Sequence, residues 1–269
     1  MLVLLSSLIV KQNTFITLSP NINKIIIGHS YSETAFNDNM ITGLKNCSES
    51  GESYFYNYQK LKIILRSNKQ IDTVFVNFSN NQVFSDMDDW IWGEKYMNYN
   101  LTKYQPWCEK EDILLCAKNN FFIFSLTQAV VIKNNLKKII KNNYSDPLLV
   151  GEYKAMTQKI IKEEKQGKIN DNTYKISEIN LNYLKKIIEL CNQKNIKVIF
   201  LRPPVKEINL NQPVEVEFQK IRKNYFANIE FWDFINLPMD KKLHFFDNTH
   251  VNKEGSRIVT LELNEKMTK

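Results

Sequence analysis

Ser30, Asp247 and His250 are the residues whose types and spacing could carry out a reaction. A serine hydroxyl becomes a useful nucleophile only when a neighbouring base takes its proton. Histidine suits that task at neutral pH, and a carboxylate holds the imidazole in one tautomer and stabilises the imidazolium that forms. The spacing Asp247-x-x-His250 lets both side chains come from a single tight turn. The chain order is then serine, aspartate, histidine.

For these ends to meet, strands must carry them to one edge of a sheet. The β-branched run at residues 24–27 ends in Gly28-His29-Ser30, which reads as a buried parallel strand turning sharply into a helix. In open α/β sheets that carboxyl edge is where ligands bind. Residues 41–47 read as a second strand, followed by the loop Ser48 to Ser53 with Gly51 in it and a helix over 54–65. Residues 71–78 read as a central strand, apolar almost throughout, that ends in Ser79-Asn80-Asn81-Gln82.

The pattern continues with helices over 113–141, 152–165 and 174–194, a strand over 196–201, a helix over 214–226 and a last strand over 229–234. Asn252 is placed to cap a final helix over 253–269. Five strands alternating with helices predict a three-layer α/β/α domain around a central, mostly parallel five-stranded sheet. Arg202 falls at the same edge as Ser30, either to hold an anionic group of a substrate or to form a structural salt bridge. His29 is placed either to touch substrate or to make a strand-end hydrogen bond, and His244 reads as structural.

Residues 86–112 are rich in aromatics and poorly periodic, with Trp90, Trp92 and Trp107 among them. They read as an insertion over the sheet edge, or as a platform for a sugar-like substrate, since aromatic faces pack on apolar C–H surfaces. The division expected is an N-terminal apolar segment and lead-in over 1–23 and a single domain over 24–269. The first ten residues are too few to span a bilayer, which takes roughly 20. They read as the end of a membrane anchor or as a packed first element.

The Ser30 and Asp247/His250 blocks, with polar loops at the two strand ends between them, resemble the SGNH, or GDSL-like, hydrolase superfamily. Carried over residue by residue, the resemblance implies Ser30 as nucleophile and Asp247 and His250 as the acid and base pair. It further implies an oxyanion hole made of the Ser30 and Gly51 amides and a side chain from Asn81 or its neighbour Asn80. His29 replaces the aspartate usual before the family serine, and Ser79-Asn80-Asn81-Gln82 stands where the family has G-x-N-D. The segments Gly28-His-Ser-Tyr and Phe246-Asp-Asn-Thr-His-Val-Asn-Lys-Glu-Gly are similar to the bacterial cell-envelope branch. That branch implies an SGNH-hydrolase or flavodoxin-like sheet and an esterase or O-acyltransferase acting on an acylated, cell-surface carbohydrate. It implies no cofactor, and it allows a membrane-bound acyl-donor partner and a location on the envelope side. An alternative on the same fold is a non-catalytic carbohydrate-binding or assembly protein.

Composition narrows the classes further. With 43% hydrophobic and 24% charged residues in 269, the chain is ordinary for one folded domain and not for wholesale disorder. The net charge of +7 comes from dispersed lysines, and no nucleic-acid module accompanies it, so nucleic acid is not an expected partner. The lysines of 133–141 sit at helical spacing and read as a solvated face. Cys47, Cys108, Cys116 and Cys191 lack C-x-x-C spacing and read as free thiols, neither a metal nor a redox site. A monomer is expected.

Overall fold

The computed structural model describes residues 2–157, 175–206 and 212–269. Five strands form one all-parallel sheet in the order β2-β1-β3-β4-β5, with β1 at Lys24–Ile27, β2 at Leu44–Asn46, β3 at Thr73–Asn77, β4 at Lys197–Arg202 and β5 at Glu230–Asp233. This is the flavodoxin-like order, in which the chain winds one way from β1 to β2 and the other way from β3 onward. The crevice outside β1 and β3 is its switch point.

Period-two alternation assigns each strand residue to a layer. Ile25 and Ile27, Val74 and Val76, and Val198 and Phe200 enter the larger core. Ile26, Phe75, Ile199 and Leu201 face the other side. The larger core is covered by α3 (Tyr54–Ser67), α9 (Glu178–Asn192) and α10 (Pro213–Tyr225), and the smaller by α2 (Ser30–Ala35) and α11 (Lys253–Thr268). The result is a three-layer α/β/α arrangement. Gly28 is required where β1 meets β3, because a Cβ there would fall 2.5 Å from the Asn77 Cβ.

Outside the sheet, α1 (Leu2–Asn13) lies against α8 (Phe121–Ile140). Between β3 and α7 (Lys110–Asn119) the chain winds through short turns that include α4 (Asp89–Trp92), α5 (Glu94–Tyr96) and α6 (Thr102–Tyr104). The single helix expected over 113–141 is two. Asn120 closes α7 through its N–H to the Cys116 carbonyl, and its side chain caps α8 at the Ile123 N–H. The helix expected over 152–165 is absent at 152–157, and its remainder lies outside the described residues. There the Lys154 N–H bonds to the Glu33 carbonyl 2.9 Å away, and Gly151 at φ 82° seats the chain on the Cys47 and Ser48 carbonyls.

Arg202 is buried in an ion pair, so the structural alternative describes its place. Its guanidinium meets both Glu215 carboxylate oxygens at 2.8 and 2.5 Å and Asp233 at 3.5 Å, and it stacks on Phe218. It belongs to the junction of β4, β5 and α10 and does not line the cleft that holds Ser30.

Candidate active site

Ser30 is the first residue of α2, and His29 precedes it in extended conformation as the cap. The strand therefore delivers the serine to the sheet edge, half-buried, with its hydroxyl facing the C-terminal loop. That loop is folded by its own sequence. The Phe246 N–H bonds to the His250 carbonyl, Phe245 bridges Val251, and Asn252 caps α11 at the Glu254 and Gly255 N–H groups. Gly255 allows α11 to begin hard against the loop, since a Cβ there would meet the His244 carbonyl.

Within the turn, Asp247 Oδ1 accepts from the Thr249 and His250 N–H groups, each at 2.7 Å. Its Oδ2 lies 2.7 Å from His250 Nδ1, and His250 Nε2 lies 2.8 Å from Ser30 Oγ. Burial alone would push the Asp247 carboxyl up, but the hydrogen bonds from His250 and Thr249 outweigh it and hold the group at about 2. An ionised Asp247 keeps the imidazole proton on Nδ1, so the Ser30 hydroxyl donates to Nε2. Tyr31 packs edge-on against the His250 ring at 5.4 Å.

The cleft over Ser30 holds about 760 Å³ and is lined by Asp247, His250, Gly51, Trp90, Tyr96 and Tyr99 among others. Gly51 sits at φ 81°, and its open side faces the Tyr96 ring. The Ser30 and Gly51 N–H groups donate no hydrogen bond among the described residues. Asn81 is half-buried, and its carboxamide NH2 is likewise without an acceptor among them. Asn80 donates to Glu215 at 3.3 Å and is thereby tied to the Arg202 network. Of the two asparagines, Asn81 is the one with a free donor. Gln82 has a local task in place of the family aspartate: its side chain accepts from the Ser79 N–H and closes a capping box.

Of the other expected substrate-binding residues, Trp90 lines the cleft and stacks on Tyr96 at 4.9 Å. Trp92 packs against the larger core, and Trp107 is buried in it, so neither reaches the cleft. His29 is fully buried beneath the site and does not line it. Its Nδ1 accepts from the Tyr31 N–H at 3.3 Å, the strand-end hydrogen bond that was the alternative, which leaves the proton on Nε2. Burial first, and the neighbouring His250 second, lower this ring to about 3, with Asn81 opposing them weakly. Neither His29 Nε2 nor Asn81 Oδ1 has a well-formed hydrogen bond, so their interaction is electrostatic.

A histidine depressed in the native state is neutral there while the unfolded chain binds a proton below about 6.5. Stability therefore falls as pH drops from about 6.5 and levels off near the native value of about 3. In His29→Gln this component is absent. The drop in melting temperature between pH 7 and pH 4, followed by circular dichroism, should shrink by several degrees. An equal drop in both proteins would contradict the assignment.

The Gly51 loop is anchored by charges that the sequence pattern did not single out. Lys60, fully buried on α3, bonds to the Cys47 carbonyl at 2.8 Å and to Glu52 at 2.9 Å. Lys103 bonds to Glu49 at 2.7 Å, while the Tyr99 and Tyr104 hydroxyls donate to Glu49 and Glu52. Burial pushes the Glu49 carboxyl up, but the two lysines reverse this and hold it down. Breaking such a pair leaves an uncompensated buried charge, at about 3–5 kcal/mol. Lys60→Met should therefore lose roughly that much in urea unfolding, and an unchanged midpoint would contradict it. Tyr96, Tyr99 and the segment 147–156 are cleft residues that sequence reasoning missed, because irregular chain carries no periodic signal.

No curated protein matches the chain in sequence. A family model that carries no description of activity matches residues 136–269. Among solved structures, one provisionally named as a platelet activating factor from Streptococcus pneumonia aligns at 12% identity and a TM-score of 0.47, covering 97% of this chain and 91% of its own. A second, provisionally named as an acylhydrolase from Bacteroides fragilis, aligns at 13% identity and a TM-score of 0.41, covering 97% and 95%.

Proposed function

We propose that this chain is a serine esterase or O-acyltransferase of the SGNH kind, acting on an acylated carbohydrate of the bacterial cell surface. The observation that carries the reading is the continuous relay from Ser30 Oγ through His250 to Asp247, at 2.8 and 2.7 Å. Ser30 Oγ attacks the ester carbonyl while its proton passes to His250 Nε2. The oxyanion is held by the Ser30 and Gly51 N–H groups and the Asn81 carboxamide. Collapse expels the alcohol, which takes the proton from His250, and leaves an acyl-serine. Water or a sugar hydroxyl, deprotonated by the same imidazole, then resolves it. Trp90, Tyr96 and Tyr99 around the cleft support a sugar as the acyl carrier or acceptor, through packing on its C–H faces.

The test is acetate release from acetylated mono- and oligosaccharides and from p-nitrophenyl acetate. Turnover that exceeds that of a His250→Ala control, with sugar esters preferred by kcat/KM, is the expected result. Folded protein with no turnover above that control on any of these esters would overturn the reading.

A further inference from the structure

Helices α1 and α8 are built inside out. The residues α1 turns inward are Ser6, Ser7 and Val10, and those of α8 are Ile123, Thr127, Val131 and Asn135. The Asn135 carboxamide donates to the Ser6 and Ser7 hydroxyls at 3.3 and 3.1 Å, so a polar seam joins the two helices. The outward side carries the large apolar groups: Leu4 is 73% exposed, Phe121 73%, Phe122 71% and Ile140 81%, with Leu5, Leu8 and Leu126 each more than half exposed. Helices packing on a core in water show the reverse pattern. Small and polar residues between helices, with leucine and phenylalanine outside, suit a lipid environment. An exposed apolar area this continuous marks an interaction surface.

Charge identifies what the surface meets. Neither α1 nor α8 contains an aspartate or glutamate, and Lys133 and Lys137 flank an apolar groove of about 560 Å³ formed with Ala129, Ile132, Leu136 and Ile140. At the other end Leu8 opens on a basic pocket of about 500 Å³ lined by Lys11, Arg66, Lys69 and Lys194, with Glu109 the one acid among its lining residues. Apolar side chains bordered by lysines suit an interfacial helix on an anionic leaflet. No helix among the described residues is long and apolar enough to cross a membrane. We infer that the outward face of α1 and α8 lies on the surface of an anionic lipid bilayer, with the lysines at headgroup level.

Flotation of the full chain with large unilamellar vesicles tests this. Partitioning should be at least about tenfold stronger into phosphatidylcholine containing phosphatidylglycerol than into phosphatidylcholine alone, and should weaken with salt. Lys133→Gln with Lys137→Gln should reduce it by about fivefold per lysine. Phe121→Ser with Phe122→Ser and Leu126→Ser should reduce it at least about tenfold, with an unchanged melting curve because these side chains are exposed. If that variant misfolds, the lysine variant still decides. No partitioning into either vesicle, or partitioning indifferent to all five substitutions, would overturn the proposal. So would a wild-type dimer that the phenylalanine variant dissolves and that does not bind vesicles, since a second copy would then be what covers the face.

Discussion

Replacing His250 with alanine should lower turnover of an acetyl ester by roughly 10⁴–10⁶-fold with little change in thermal stability. His250 Nε2 is the acceptor within reach of the Ser30 hydroxyl, at 2.8 Å, so without it the hydroxyl has no base. The ring is partly exposed, at 20%, which limits the packing lost on truncation. Asp247→Asn should follow at about 10⁴-fold, because a carboxamide can present its N–H to Nδ1 and hold the ring in the wrong tautomer. The ionised carboxylate persists down to about 2, so Asp247 contributes no inflection to a pH–rate profile between pH 4 and 8. Its contribution to stability is present above its unfolded value of about 3.9 and is lost as pH falls through about 2. Steady-state kinetics on purified variants check the turnover losses. A His250→Ala enzyme within tenfold of wild type would be incompatible with the proposed relay.

Asn81→Ala should lower kcat by about 10²–10³-fold with a smaller change in KM, the loss typical of one oxyanion donor. A donor that meets charge only in the transition state affects kcat in this way. Asn80→Ala is the matched control. Its amide bonds to Glu215 at 3.3 Å, so its removal should appear in the unfolding midpoint and leave kcat within a few-fold of wild type. If the two variants exchanged behaviours, the oxyanion donor would be Asn80. If neither reduced kcat, the loop after β3 would not take part in the reaction.

The layered sheet was legible because Ile25 to Ile27, Val74 to Val76 and Val198 to Leu201 are short apolar runs buried on both faces. Runs of that kind have few alternatives to a parallel strand. The meeting of Ser30 with Asp247 and His250 was legible because each follows a strand or precedes a capped helix. Long-range pairing was not. Nothing in the local pattern around Arg202 announces that Glu215, one helix away, receives it, or that Lys60 on a helix turns inward to two glutamates. The tryptophans of the insertion show the same limit. Trp90 faces the cleft and Trp107 the core, and a region of short irregular turns has no period from which to tell them apart. The lysines at 133 and 137 read as an ordinary solvated face until the leucines and phenylalanines beside them proved to point outward as well.

The most direct test of an activated serine is covalent. Purified protein would be treated with a fluorophosphonate probe and the adduct located by mass spectrometry, alongside Ser30→Ala and His250→Ala. A single adduct on Ser30, absent from the first variant and strongly reduced in the second, is the result this account predicts. Folded wild-type protein that stays unlabelled, or that is labelled equally when His250 is absent, would contradict it.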